Sequence, residues 1–414
     1  MWSDDQWAPL DGTTTAALRL GPTLLSGMSF RWEKCMSLQD GADGTSSQQD
    51  TYIGVLDGII YELREAGETV DFRSSEPNST VARTTLRRHL RLDDGLIACE
   101  SNAWCSAVPE FRRAAAVLPG CRVLRILDPL ETLITFIGSA NNNIKRNMQM
   151  VKALCAHFQE NWLGSDALGG EHHRFPTVDQ LITLSEQQLW ELGWGYRAPR
   201  VYKVARQLHE RGGEPFLKAL EPMTEKAARE ALCELCGVGR KVADCVLLFG
   251  YGHDGCVPVD THCLQIAQRF ILPAIRGKPL SAGIYSAIVA RFHELFGAEH
   301  AGWAFMTLFV AELSDFRKRL VEPGVREATS PHFAATPPHP RREQSKQVKS
   351  ETVGEEHKET RTRQKTRQQQ PSTPATTARR AAASSASPKT AEGAQRRKAA
   401  RTSRRVARLS PYFG

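Results

Sequence analysis

Leu235-Cys236-Gly237-Val238-Gly239-Arg240-Lys241-Val242-Ala243-Asp244 is the stretch that decides how this chain reads, and nineteen residues beyond its lysine stands Asp260, within Val257-Pro258-Val259-Asp260-Thr261-His262. Two glycines flanking one apolar residue let the backbone reverse tightly between helices, because glycine enters positive φ without a steric penalty. The amides at the start of the following helix, near Arg240, then point outward as an anion site of the kind that holds a phosphate. Lys241 lies in the first turn of that helix and shares a stripe with Cys245 and Leu248, which keeps it from full solvation. An amine withheld from water is the form that acts as a nucleophile at neutral pH. Asp260 precedes the amphipathic run Thr261 to Ala267 and is placed to cap its N-terminus. A capping carboxylate is held ionised and can stabilise positive charge developing on a sugar. Amine and carboxylate are together the groups needed to break and manage a glycosidic bond.

On either side of this block the pattern from about residue 119 to 320 is one amphipathic helix after another, divided by Gly, Pro, Asn and Ser. Leu130 to Ile137, Met148 to Phe158, Ser185 to Leu192, Arg197 to Leu208 and Glu225 to Leu235 are the candidates. The first third reads differently. Tyr52-Ile53-Gly54-Val55-Leu56 and Ile59-Ile60-Tyr61-Glu62-Leu63 flank Asp57-Gly58, a pair that readily supplies the positive φ angles of a two-residue hairpin turn. Ser29-Phe30-Arg31-Trp32 adds a short alternating segment, and helical spacing begins at about Thr80 and runs to Leu92. The expected fold is therefore α+β: a twisted antiparallel β-sheet domain over 1–118, a helical domain over 119–325, and a tail over 326–414.

Charge divides the chain at the same place. Residues 331–414 hold 19 basic and 6 acidic residues, a net of +13, whereas the first 330 residues carry 35 and 40, a net of −5. Any nucleic-acid site in the folded part is then a local basic patch rather than a generally basic body. The tail is rich in Ala, Ser, Thr, Gln, Pro, Lys and Arg and cannot bury enough apolar surface to offset its ordering entropy, so disorder is expected there. Arg396-Arg397-Lys398 and Arg404-Arg405 form a spaced basic pair that fits a nuclear address or a DNA tether, and Ser410-Pro411-Tyr412-Phe413 reads as a short docking motif. The ten cysteines scatter without secreted-type spacing and read as reduced thiols. Asp4 and Asp5 stand where a signal peptide would be basic, and no apolar run is long enough to span a membrane.

Four further blocks carry a resemblance to a known family. They are Leu25-Ser26-Gly27-Met28-Ser29-Phe30-Arg31-Trp32, Phe136-Ile137-Gly138-Ser139-Ala140-Asn141-Asn142-Asn143-Ile144-Lys145-Arg146, Leu192-Gly193-Trp194-Gly195-Tyr196-Arg197-Ala198, and Ala301-Gly302-Trp303-Ala304 with Leu308-Phe309. With the lysine–aspartate block, and over roughly residues 10–320, the chain resembles the 8-oxoguanine DNA glycosylase/AP lyases of the helix–hairpin–helix superfamily. The resemblance implies a base-excision-repair enzyme that removes an oxidised purine, 8-oxoguanine or formamidopyrimidine, from damaged duplex DNA by base flipping, with β-elimination following. It implies that Lys241 attacks C1′ and forms a Schiff base, and that Asp260 stabilises the developing cation. Gly27 would accept the N7 hydrogen of the lesion within the family's N-terminal strand, and Cys245 and Phe309 would sandwich the base. Asn141 would fill the vacated stack, Tyr196 would wedge the duplex, Arg146 and Arg197 would contact the orphaned cytosine, and His262 would touch a phosphate. Gly237 and Gly239 would hold the backbone. Taken singly, each of these residues has an ordinary structural explanation; it is their joint occurrence in family order that favours the functional one.

The chain departs from the family at three pocket positions. Phe305 stands where a glutamine usually bonds the Watson–Crick edge, Met28 replaces a glutamine and Phe249 a methionine. A phenyl ring cannot supply those hydrogen bonds, which implies weaker discrimination among oxidised purines. Two other readings compete. The endonuclease III branch removes oxidised pyrimidines and generally carries an iron–sulfur cluster on four C-terminal cysteines, whereas no cysteine follows Cys263 here, so no cluster is expected. Cys233 and Cys236 have no second pair to complete a metal site. A lesion-binding protein with little turnover is the alternative from another class. The expectation is a monomeric nuclear enzyme without metal or cofactor and without membrane attachment.

Overall fold

Five antiparallel strands open the fold: β1 (Ala8–Thr14), β2 (Trp32–Asp40), β3 (Ser46–Leu56), β4 (Ile59–Ala66) and β5 (Thr69–Ser74), in the spatial order β1-β5-β4-β3-β2. In this computed structural model residues 7–40, 46–94, 103–166, 168–314 and 316–317 are described, and all of them belong to one compact unit. The expectations placed on 326–414 lie outside the described residues. Asp57 and Gly58 have φ of 51° and 73°, the paired left-handed conformation of a tight hairpin, and set Leu56 opposite Ile59. Along β3, Tyr52 and Leu56 belong to the main core, while Ile53 and Val55 join Ile60 and Leu163 in a small second cluster on the other face. Side chains alternate across a strand, so a sheet apolar on both faces needs a cover on each. The helices supply one; Leu163, on a small hairpin formed by β6 (Trp162–Ser165) and β7 (Glu171–His173), packs on the second cluster.

The sheet is locked to the helix Ser79–Leu90 by a buried pair. The Trp32 indole N–H donates to His89 Nε2 at 3.1 Å, and Gly54 leaves the space that the Trp32 ring fills, since a Cβ there would meet the ring at 2.5 Å. Asn78 caps this helix through its side chain, and Arg91 ends it in the left-handed conformation.

Two sequence expectations need correction. The segment around Gly27 is not a strand: β2 begins only at Trp32, and Gly27 has φ +84°, outside the extended region. Its backbone is instead pressed against the helix Ile144–His157, the asparagine helix, where a Cβ would touch Ile144 at 3.0 Å. The helix expected over Ser185 to Leu192 is a single turn, Glu186–Leu189, followed by a wide π-type turn over Trp190–Trp194 that Gly193 breaks at φ 90°. The other helix boundaries shift by a few residues, most of all in the asparagine helix, and β3 begins six residues before the expected Tyr52. The asparagine helix starts at Ile144 rather than Met148, because the Asn143 side chain accepts the Arg146 N–H and caps it early. Strands β1, β5, β6 and β7 were not foreseen.

The remaining helices build the body around one continuous core that runs from Leu10 to Ala311. Those that position the site are Pro129–Gly138, the asparagine helix Ile144–His157, Ala198–Glu210, Glu225–Cys233, the lysine helix Arg240–Cys245 with its π-type continuation Val246–Tyr251, Thr261–Ile266, Ala282–Phe296 and Ala301–Glu312. No helix among the described residues is long and apolar enough to cross a membrane.

Candidate active site

A cleft of about 1420 Å³ runs between the segment that carries Gly27 and the helical body. Lys241, Cys245, Phe249, Asp260, His262, Phe305 and Phe309 all line it, together with Gly27. Seven side chains and a glycine from four separate blocks of sequence thus meet in one place. Ligand pockets commonly enclose about 300–1,000 Å³, so the cleft has room for a whole nucleotide and for backbone beside it.

The lysine helix begins where the two-glycine turn aims it. Gly237 has φ +80°, and its missing side chain makes way for Arg200, whose carbons would lie 2.9 Å from a Cβ. Gly239 precedes the first helical residue in extended geometry, and a Cβ there would meet nothing within 4 Å. Lys241 is half-buried; its Nζ donates to Ser139 Oγ at 3.0 Å and lies 5.2 Å from the centre of the Phe136 ring. Ser139 donates its own hydroxyl proton to the Phe136 carbonyl at 2.7 Å. A hydroxyl carries one proton, so toward the lysine Ser139 can only accept. The amine is thereby held by Ser139, lies beside the Cys245 thiol and borders the cleft.

Asp260 caps the helix Thr261–Ile266, its Oδ1 accepting the Cys263 N–H at 2.9 Å. Capping takes one carboxylate oxygen and leaves a second for chemistry. Cys245 is buried, and burial pushes its thiol up to about 12, although the nearby Lys241 charge acts in the opposite sense. It is therefore a neutral thiol at physiological pH. The walls are aromatic. Phe249 stacks on Phe136 at 5.3 Å and 11°, Phe305 lies 5.8 Å from Phe309, and His262 meets Phe309 edge-on at 6.0 Å. Such a site accepts a flat ring between apolar faces and offers an amine and a carboxylate beside it.

The residues expected to touch DNA lie on the outside of the helical body. Tyr196 and Arg146 are exposed, as are Gly237, Gly239 and His262. Asn141 is exposed with φ 45°, a left-handed conformation that few non-glycine residues adopt. Arg197 is different: only 1% of it is exposed. Its guanidinium donates to the Ala140 carbonyl from Nε at 3.0 Å and to the Asn141 carbonyl at 2.8 Å, and lies 4.3 Å over the Tyr196 ring. The Tyr196 hydroxyl donates to that same Ala140 carbonyl at 2.6 Å. Arg197 thus braces the loop that presents Asn141 and ties it to Tyr196.

Sequence reasoning gave no role to Ser139, Phe136, Asp244 or Tyr285. Ser139 and Phe136 sit inside a quoted block, but nothing in their spacing from Lys241, about a hundred positions away, announces the contact. Asp244 is 1% exposed and accepts from Arg229 Nε at 2.5 Å and from the Tyr285 hydroxyl at 2.6 Å.

A family model described as the 8-oxoguanine DNA glycosylase N-terminal domain matches residues 12–133. An N-glycosylase/DNA lyase of Arabidopsis thaliana is 35% identical over 318 residues, which span 74% of this chain and 80% of that protein. An N-glycosylase/DNA lyase of Saccharomyces cerevisiae is 36% identical over 265 residues, 61% of this chain and 68% of that one. Among solved structures, the apo 8-oxoguanine glycosylase/lyase of Clostridium acetobutylicum aligns with a TM-score of 0.58 at 25% identity, over 71% of this chain and 93% of its own. The structure of that enzyme with double-stranded DNA containing cytosine opposite 8-oxoguanine gives a TM-score of 0.59 at 22% identity, over 77% of this chain and 100% of its own, a likeness of fold.

Proposed function

Since the chain belongs to the 8-oxoguanine DNA glycosylase/lyase family and is a DNA-binding N-glycosylase and AP lyase of base-excision repair, we propose that its chemistry runs through Lys241 and Asp260. The lesion nucleotide rotates out of the duplex into the cleft, an opening that costs a few kcal/mol and is offset by contacts in the pocket. Phe309 and Cys245 take the two faces of the base, and the Gly27 carbonyl accepts its N7–H. The Lys241 amine attacks C1′ as the N-glycosidic bond breaks, and the departing base takes up a proton. Asp260 stabilises the positive charge on the sugar as it forms. The resulting aminosugar opens at its C1′–O4′ bond, O4′ taking up a proton, to give a Schiff base, which acidifies the C2′ proton and permits β-elimination of the 3′ phosphate. Tyr196 enters the duplex, Asn141 occupies the gap, Arg146 approaches the opposing base, and Arg197 acts on that base through the loop it braces. Gly237, Gly239 and His262 lie along the sugar–phosphate backbone.

The observation that carries this reading is the meeting of Lys241 and Asp260 in one aromatic-walled cleft. Borohydride reduction of the enzyme on duplex DNA containing 8-oxoguanine should trap a covalent adduct, and Lys241→Ala should abolish it. An adduct of wild-type yield with Lys241→Ala would remove the lysine from the mechanism. We propose further that the enzyme is a monomer without an iron–sulfur cluster and that it acts in the nucleus, the address being the basic pair at 396–398 and 404–405. Replacing those five residues by alanine should redistribute a fluorescently tagged chain, and unchanged nuclear accumulation would argue against the address.

A further inference from the structure

The loop that carries Asp260 is not held by the catalytic helices alone. The Tyr285 hydroxyl, from the helix Ala282–Phe296, accepts the Val259 N–H at 3.1 Å and donates to Asp244 Oδ2 at 2.6 Å. Val259 immediately precedes Asp260, and Asp244 lies three residues beyond Lys241 on the lysine helix. At the other end of the loop, Arg229 reaches the Cys256 sulfur at 3.6 Å while donating to the other Asp244 oxygen at 2.5 Å. One buried carboxylate on the lysine helix therefore fastens both ends of the segment Cys256–Asp260. The Tyr285 ring is pinned in turn by Arg240, whose guanidinium lies 4.2 Å over it and donates to Ser286 Oγ at 2.7 Å. No residue of the helix Ala282–Phe296 lines the cleft.

We infer that Tyr285, acting through Val259 and Asp244, is a positioning residue that sets the placement of the Asp260 carboxylate relative to the Lys241 amine, an inference that rests on the roles proposed for that pair. The polarity of the strut is fixed. An amide N–H can only donate, so the phenol accepts from Val259, and its one proton goes to Asp244 Oδ2 at 2.6 Å rather than to the Val257 carbonyl at 3.5 Å. Phenylalanine in its place leaves a buried N–H without its partner and a buried carboxylate oxygen short of a donor, which is relieved only if the loop moves. Misplacing a reacting group by about 1 Å can cost about a hundredfold in rate. The strut bears on the step that needs Asp260, the departure of the base. It bears less on attack by Lys241 at a sugar whose base is already gone.

The test is Tyr285→Phe under single-turnover conditions, below its unfolding temperature, on duplexes carrying either 8-oxoguanine or a preformed abasic site. Base excision should slow by about tenfold or more, while abasic-site cleavage and lesion-duplex affinity change by less than about threefold. Ile288→Ala, a cavity variant one turn further along the same buried face, whose side chain can make none of these hydrogen bonds, controls for lost stability and should not separate the two reactions. Asp244→Asn weakens the same strut, should reproduce the separation, and serves if Tyr285→Phe does not fold. Wild-type excision by Tyr285→Phe, or an equal fall in both reactions that Ile288→Ala matches, overturns the inference. Lys241→Ala and Asp260→Asn run in parallel: if they still excise, the catalytic pair itself is wrongly assigned and both readings fall. If they are inactive while Tyr285→Phe is normal, only the strut is wrong.

Discussion

Phe305 is buried to 3% exposure, packed edge-on to Phe292 at 6.0 Å and beside Phe309, and it stands on the cleft wall. A ring in that place contributes apolar area and no directional bond. A purine would then be held by its faces and by backbone, with less said about the groups on its edge. Sites built to hydrogen-bond a substrate reject analogues by large factors, whereas apolar pockets separate near-isosteres by only about 10–200-fold. Phe305→Gln should therefore raise the preference for 8-oxoguanine over formamidopyrimidine by about tenfold, measured as the ratio of single-turnover rates opposite cytosine. An unchanged ratio, or a wild-type enzyme already far more selective for 8-oxoguanine, would show that the edge is read elsewhere. Lys241 shows what one residue's neighbours can and cannot announce. Its helical stripe with Cys245 was legible in the sequence, because both lie on one short helix. The acceptor that holds its amine, Ser139, is 102 positions away, and no local pattern encodes that approach.

Among the elements, the two-glycine turn separates fold from function most cleanly. Gly237 is required by its own backbone, with φ +80° and the Arg200 side chain in contact, whereas Gly239 faces open space in a conformation any residue can adopt. Gly239→Ala should leave stability within about 0.5 kcal/mol yet weaken duplex binding, because a methyl group would sit where a phosphate approaches the helix amides. Thermal unfolding and a binding titration decide it, and undiminished affinity would remove the turn from the DNA interface. The join between sheet and helix Ser79–Leu90 makes a separate prediction. Trp32 donates to His89 Nε2, and Nδ1 lies 2.6 Å from the Arg125 carbonyl, so the ring must be neutral with its proton on Nδ1. Burial accordingly lowers the His89 imidazole from 6.5 to about 4. The folded state thus binds fewer protons than the unfolded one between those values. The stability this group contributes is complete above pH 6.5 and is lost as pH falls through the window, amounting to about 1.4 kcal/mol by pH 5.5. Urea unfolding at pH 7.5 and 5.5 should show that extra loss in the wild type and not in His89→Gln; equal losses would mean that the imidazole is already charged in the fold. What could be read in advance at this scale followed local chemistry: Asp57-Gly58 for the hairpin, Gly-Val-Gly for the turn, Asp260 for a cap. Strand β1 was missed because Gly12 breaks its alternation, whereas β5 alternates, with Val70 and Phe72 inward, but is only six residues long, and the pairing of the two is long-range. Gly27 was misread as strand because its apolar and aromatic neighbours alternate while its own φ is positive.

For the whole chain, charge sets the terms. A body of net −5 over residues 1–330 must meet a polyanion through a local surface, while residues 331–414 carry +13. Each phosphate neutralised releases about one counterion, so a basic extension makes affinity fall more steeply with salt. Removing residues 331–414 should flatten the salt dependence of binding to undamaged duplex and leave single-turnover excision unchanged, while an unaltered slope would mean that the tail does not touch DNA. Such tethering matters for an enzyme that must inspect many intact pairs for each damaged one, and here the brace at Ala140 has a kinetic consequence. One carbonyl oxygen receives both the Tyr196 hydroxyl and the Arg197 guanidinium, so the exposed ring and the Asn141 loop are already joined before any duplex arrives. Loops that have to be assembled on contact rearrange over nanoseconds to microseconds and add that delay to every encounter. A pre-joined pair adds none, which leaves the pace of inspection to be set by how readily each base pair opens.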